Sequence, residues 1–198
     1  MSMKKLTLAV AMLSAMVATT ANAADHGHGS VKFTGSIIDA PCSIAPENID
    51  QTVDMGEISN QSLKNGGTSP KRYFSIKLEN CDVSALENKT VSITFTGHHS
   101  DLNANNLAIS GSASGASIGI ISAKSDKDKN GTKIKLDQPS NEIAINNGNP
   151  VLQFAAYLQG DAVSPNSEKS TDSQDESLSS IITPGEFTAT TNFVLDYQ

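Results

Sequence analysis

The sequence predicts an all-β sandwich, and three observations predict it. Short stretches alternating apolar and polar residues recur along the chain, each bounded by Gly, Asn, Ser or Pro. Thr, Ser, Asn, Gly, Val and Ile abound, aromatics are few and Trp is absent, a composition that suits strands and turns. No long segment carries the 3.6-residue period of an amphipathic helix, and no sequence repeat is present. Many short strands separated by turn signals point to two packed sheets.

The chain opens on residues 1–23, with Lys4 and Lys5, an apolar run from Leu6 to Val17, and small residues at Ala21 and Ala23. This is the pattern of a cleavable secretory signal peptide, and its apolar run is too short for a membrane-spanning helix. Ser30–Ile37 follows, with Val31, Phe33 and Ile37 on one side of an extended chain and Lys32, Thr34 and Ser36 on the other. Gly35 falls on the apolar side, where a missing side chain admits a close neighbour. The segment reads as a strand without a home in its own domain. It continues through Ile38 toward Pro41 and Cys42, and residues 24–38 are expected to form an extension ahead of a domain over 39–198.

Thr52–Ile58 is a second short strand candidate, and residues 65–70 are a loop. Tyr73–Glu79 alternates with Phe74, Ile76 and Leu78 on one face and runs into Cys81. Thr90–Thr96 does the same with Val91, Ile93 and Phe95. Residues 97–117 turn to small and polar residues around a short Leu107–Ile109 strand. Ser117–Ala123 and Lys133–Leu136 flank a hairpin with Asn130-Gly131 near its tip. Glu142–Ile145 is another short strand, and the mostly apolar Val151–Gln159 is expected to be central. Asp161–Ser180 is polar and acidic, hence an exposed flexible loop. The chain closes on a run in which Phe187, Ala189, Thr191, Phe193, Leu195 and Tyr197 share one face.

The chain carries 14 basic and 21 acidic residues, a formal charge of −7, and loss of the leader with its two lysines deepens that by two. No basic cluster survives, so nucleic acid is not expected as a partner. Two cysteines in a secreted chain make one disulfide, Cys42–Cys81. It would close a loop of about 40 residues and contribute roughly 4 kcal/mol in the chain-entropy picture. Cys-x-x-Cys redox spacing is absent.

Several decoys are weighed down. Asp126–Asn130 with Asp137 mimics a calcium loop, but lysines crowd it and strands, not helices, flank it. His26, His28, His98 and His99 lack partner ligands at zinc-like spacing. The Asn-x-Ser/Thr matches at Asn60, Asn88 and Asn130 are short enough to arise by chance. The serines have no nucleophile elbow and no base partner, so the chain is not expected to be an enzyme, and neither metal nor cofactor is expected.

Four stretches together carry a resemblance: residues 29–35 leading to Asp39-Ala40-Pro41-Cys42-Ser43-Ile44, then Asp50–Gly56, then Glu79-Asn80-Cys81-Asp82, then Val91–Gly97. Gly185 is fourteenth from the end and Tyr197 penultimate. The set resembles the subunits of chaperone–usher fimbriae, close to the major pilins of P-type and type 1 fimbriae. It covers nearly the whole chain after the leader; the departure is 161–180, longer and more acidic than the family shows there.

The resemblance implies an incomplete immunoglobulin-like sandwich lacking its last strand, completed by a donor strand from a neighbouring subunit. Val31, Phe33, Gly35 and Ile37 would be the donor positions. Gly185, Phe187, Ala189, Thr191, Phe193, Leu195 and Tyr197 would form the groove and the chaperone-binding strand. It implies a fibre-shaft subunit used in adhesion, exported through the periplasm of a Gram-negative bacterium to a surface fimbria. The implied partners are copies of the same subunit, other fimbrial subunits, a periplasmic chaperone and an outer-membrane usher. The rival readings are a secreted carbohydrate-binding or adhesin-type sandwich, and a minor or terminating subunit of the same fimbria. Too few residues precede Cys42 for an additional lectin domain.

Overall fold

Residues 29–101, 103–125, 128, 130–161 and 182–198 are described by a computed structural model. The chain divides between Ile38 and Asp39. Residues 29–38 join no strand ladder, and Val31, Phe33, Ile37 and Ile38 are all exposed, Phe33 at 89% and Ile37 fully. Large apolar side chains left in water on one short segment are an unfavourable arrangement, by roughly 1.5–3 kcal/mol each against a buried one.

The described residues of Asp39–Gln198 form eleven strands. In chain order they are β1 (Ser43–Ile44), β2 (Arg72–Glu79), β3 (Thr90–Gly97), β4 (Leu107–Ala108), β5 (Ser110–Gly111) and β6 (Ala116–Ala123). Then come β7 (Thr132–Ile134), β8 (Ile143–Ala144), β9 (Val151–Gly160), β10 (Phe187–Thr188) and β11 (Thr191–Tyr197). The larger sheet runs β1-β2-β9-β6-β4, with β7 also on β6; the smaller runs β11-β3-β8, and β10 pairs separately with β5. All ladders are antiparallel. One short helix, α1 (Asn60–Leu63), interrupts the β structure; the Ser59 hydroxyl caps it by accepting from the Gln61 amide.

Register follows the alternation. Phe74 faces Phe154 and Ile76 faces Leu152 across β2 and β9, while Ile118 faces Leu158 and Ile120 faces Ala156 across β6 and β9. These inward faces meet Val91, Ile93 and Phe95 of β3 in one core. The rings of Phe74, Phe95 and Phe154 pack edge-on or tilted, with centroids 5.5–6.4 Å apart, and so tie the two sheets. β9 is central, as its apolar run predicts. β6 is buried on both faces: a Cβ at Gly119 would stand 2.5 Å from the Tyr157 ring, so only glycine lets that ring lie flat across the strand.

Cys42 and Cys81 form a disulfide where β1 meets the end of β2. Asparagines hold the same end. Asn147 Oδ1 accepts from the Val83 amide and Asn149 Oδ1 from the Asn80 amide, while Cys81 and Gly148 exchange backbone bonds. Elsewhere Asn106 is buried, donating to Ser117 Oγ and Gln159 Oε1, in a stretch that reads from sequence as loop.

Four sequence expectations need correction. Thr52–Ile58 forms no ladder, although its backbone keeps the alternation, with Met55 buried and Val53 half-buried. The apolar face from Phe187 to Tyr197 is not one strand; β10 and β11 pair with different partners on either side of Ala189–Thr190. The Leu107–Ile109 strand is the two-residue β4, followed at once by β5. Asp161 is not part of an exposed loop: it is 6% exposed, its amide donates to the Gly115 carbonyl, and burial pushes its carboxyl above the usual range. Residues 162–181 of that expected loop, and the expected leader, lie outside the described residues.

Candidate functional site

The smaller sheet ends at β11, and the edge of β11 is the start of the site. Gln198 and Thr90 exchange both backbone bonds, at 3.0 Å each. Hydrogen-bonded pairs in an antiparallel ladder recur at every second residue, so Asp196, Val194 and Asn192 also spend their N–H and C=O on β3. Thr191, Phe193, Leu195 and Tyr197 therefore turn their backbone polar groups to the opposite edge. Among the described residues no strand pairs with that edge. The same four residues point their side chains inward, and all four are only half-buried. An unpaired edge over a half-covered apolar face is what a sandwich looks like with a strand removed.

A groove of about 1700 Å³ opens along this edge. Its floor is core: Ile44, Phe74, Ile76, Phe95 and Ile118 all reach it. Phe187, Ala189, Thr191 and Phe193 form one wall, with Gly185 at its start. The opposite wall is Ile49–Ile58, the segment expected as a strand. Its lack of a ladder now has a physical reason: the neighbour it would pair with is the strand the groove lacks.

Each expected site residue has a place. Gly185 sits where a side chain would strike Ser112 and Ala113, at 2.5–2.6 Å, so it lets the chain enter β10 against β5. Phe193 reaches the core aromatics, its ring 6.3 Å from Phe95. Leu195 and Tyr197 continue the inward face of β11 but lie past the lining of the groove, half-buried against the core. Burial raises the Tyr197 phenol, which stays neutral at physiological pH. Val31, Phe33, Gly35 and Ile37 belong to the segment outside the Asp39–Gln198 unit. Ile49–Ile58 and Leu107–Ile109 are wall and floor residues that sequence reasoning did not assign to the site. The signal was present in Val53 and Met55, whose alternation asks for a face to cover but not which one.

The His99 ring lies between the Ala104 carbonyl and the Asp137 carboxylate, and no group of three or more His, Cys, Asp or Glu residues gathers as a metal site among the described residues. Asp137, the last position of the calcium-loop mimic, is thus engaged by His99 beside the β6–β7 hairpin. No helix among the described residues is long and apolar enough to cross a membrane.

An all-β sandwich of immunoglobulin type lacking one strand, with an apolar groove in the vacancy, defines the class of the fimbrial subunits. The comparisons agree. The "Fimbrial protein" family model matches residues 31–198. The chain is 50% identical to the Fimbria A protein of Serratia marcescens and 43% identical to the Major MR/P fimbria protein of Proteus mirabilis, in both cases over all of both chains. It is 29% identical to the Pap fimbrial major pilin protein of Escherichia coli, over 96% of this chain and 95% of that one. Among solved structures it is similar to the P pilus rod subunit PapA, with a TM-score of 0.61 and 26% identity over 80% of this chain and all of that one. It is also similar to a subunit of a chaperone–usher pilus whose structure concerns rod uncoiling, with a TM-score of 0.68 and 28% identity over 87% and 97%. The chain belongs to the fimbrial protein family and is a structural fimbrial subunit.

Proposed function

We propose that the chain builds the shaft of a surface fimbria by donor-strand exchange. Residues 24–38 are the donor extension, and Val31, Phe33, Gly35 and Ile37 of one copy enter the groove of the next. The observation that carries this is the pairing of two deficits. β11 offers four unpaired backbone positions over a half-covered apolar face, and Ser30–Ile37 offers exposed apolar residues at the matching period of two. Adding the strand completes the ladder and buries alternate side chains.

A groove of this kind cannot travel open without association, so a periplasmic chaperone holds it and an outer-membrane usher exchanges the chaperone's strand for the next subunit's extension. The residues at 1–23 direct export. The relatives called major pilins and rod subunits support the abundant shaft role over a minor or terminating one. The role is structural and requires no catalysis and no cofactor.

The test moves the strand. Residues 29–38 are deleted from the N-terminus and appended after Gln198 through a short Gly- and Asn-containing turn, so that they can fold back antiparallel beside β11. The expected product is a monomer by solution mass that needs no chaperone and forms no fibres. A product that still polymerises, with no gain in unfolding midpoint over the chain lacking the segment, would show that the stretch is an ordinary leading segment.

A further inference from the structure

The wall Ile49–Ile58 has no strand ladder, so something else must hold it at the distance an added strand would need. The polar contacts it makes with the sheet come from β2. Arg72 Nε donates to the Met55 carbonyl at 3.1 Å, and Gln51 Nε2 reaches the Ser75 carbonyl at a weaker 3.4 Å. Arg72 is the sole arginine of the chain. It sits at the first position of β2, in line with Phe74, Ile76 and Leu78 but exposed, where the strand leaves the core and a permanent cation keeps its water. From that end of the strand the side chain crosses to the wall and meets the Met55 carbonyl.

The wall is shaped to receive it. Gly56 has φ of +67°, and its amide donates to Asp54 Oδ1 at 2.8 Å, so the chain turns sharply just past Met55. A Cβ at Gly56 would lie 2.7 Å from a terminal nitrogen of Arg72. The guanidinium thus lies close against bare backbone, bonded to the Met55 carbonyl and near Gly56, the next residue. Met55, the buried residue of the wall, is the one whose carbonyl it holds.

We propose that Arg72 is a positioning residue for strand capture: it latches the Met55–Gly56 turn and so holds the groove's unpaired wall in the extended form an incoming strand must meet. This rests on the donor-strand reading, and the latch itself can be judged without it. A β2 that is already paired to β9 is rigid, so the latch passes that rigidity to a segment with no ladder of its own. Once a strand has been added between the wall and β11, the ladder takes over that work.

The experiment reads the wall and the groove separately in the full-length mature chain. Wall opening is followed as the rate of cleavage after Glu57 by a glutamate-specific protease, with cleavage after Glu79 and Glu142 as internal controls. Capture is followed as the association rate of a labelled synthetic peptide of residues 29–38. In R72Q the Glu57 cut is expected to quicken by about tenfold or more, the factor that loss of one charge-assisted hydrogen bond implies. Peptide association should slow, while the control cuts and the unfolding midpoint hold. A Glu57 cut at the native rate overturns the latch. So does a parallel rise at all three sites with a lowered midpoint, which would make Arg72 a general stabiliser. If the native chain takes up no peptide while R72Q still frees the wall, the latch stands and the donor-strand reading falls. Should R72Q fail to fold, Gly56→Ala decides, since its Cβ displaces the guanidinium: a wall as resistant as the native one overturns the proposal.

Discussion

His99 shows how one side chain can make the fold sensitive to pH. Its Nδ1 faces the Ala104 carbonyl and its Nε2 faces Asp137 Oδ2, each at 2.5 Å. A carbonyl oxygen only accepts, and a carboxylate oxygen accepts, so the ring satisfies both by donating from both nitrogens, as the imidazolium. The Ala104 carbonyl and then the Asp137 carboxylate hold its pKa above the ordinary 6.5. A group raised in the folded state contributes its full stability below 6.5 and loses it as pH climbs through the raised value. Thermal midpoints of the native chain should therefore fall as pH rises above 6.5, whereas those of His99→Gln should not follow. Identical profiles would remove the ion pair from the account. Asp137 has φ of +56°, so Asp137→Asn, tolerated in that backbone, is the variant that removes the charge without disturbing the turn. Arg72 and His99 each meet an oxygen from a distant part of the chain, the Met55 carbonyl for Arg72 and the Asp137 carboxylate for His99.

At the scale of elements, the disulfide and the aromatic cluster divide the work of holding the sandwich. Cys42 and Cys81 are 39 residues apart and staple β1 to the end of β2. Replacing both with serine should cost roughly 4 kcal/mol, read as a lower denaturant midpoint, and should reduce the yield of subunit recovered from the periplasm. Unchanged midpoint and yield would mean that the Asn147 and Asn149 contacts suffice at that end. The four phenylalanines whose rings touch, Phe74, Phe95, Phe154 and Phe193, behave unequally. Phe95 is 1% exposed at the centre of the cluster, and Phe95→Ala should cost about 3–5 kcal/mol in any state of the subunit. Phe193 touches Phe95 but is half-buried, because β11 stands at the open edge. Phe193→Ala should cost clearly less in the open subunit and approach the Phe95 cost once a strand covers it. Equal costs in both states, measured by denaturant unfolding, would show that the groove does not close over Phe193.

For the whole molecule the decisive quantity is what the open groove and the exposed segment each leave unburied. Val31, Phe33 and Ile37 would supply roughly 5–9 kcal/mol as an upper bound on full burial, comparable to the net stability of a whole domain. The moved-strand chain should thus gain several kcal/mol over the chain lacking the segment. Gly35 sharpens the prediction. A side chain there meets nothing within 4 Å in the free chain, so Gly35→Leu should leave subunit stability unchanged. In the proposed complex its side of the strand would face the groove, so the same change should sharply reduce fibre yield and erase much of the gain in the moved-strand chain. A one-residue shift of register should do likewise, since it turns Val31, Phe33 and Ile37 outward. Normal fibres from Gly35→Leu would remove that residue from the interface.

The sequence by itself determined the class of fold, the number and order of most strands, the faces they bury and the pairing of two cysteines. Those features are local: a period of two needs only neighbours along the chain, and two cysteines leave one pairing. It also marked Ser30–Ile37 as apolar on one side. Tertiary structure alone decided that Thr52–Ile58 is a wall and not a paired strand, that the C-terminal run divides between β10 and β11, and that Asp161 is buried. The physical reason is the same each time. An alternating segment states that one of its faces wants cover, but its hydrogen-bond partners are chosen by how far apart other strands have placed themselves. Arg72 is the clearest case: period alone aligns it with the inward face of β2, and only the tertiary structure shows it exposed at the strand's start with its side chain on the Met55 carbonyl.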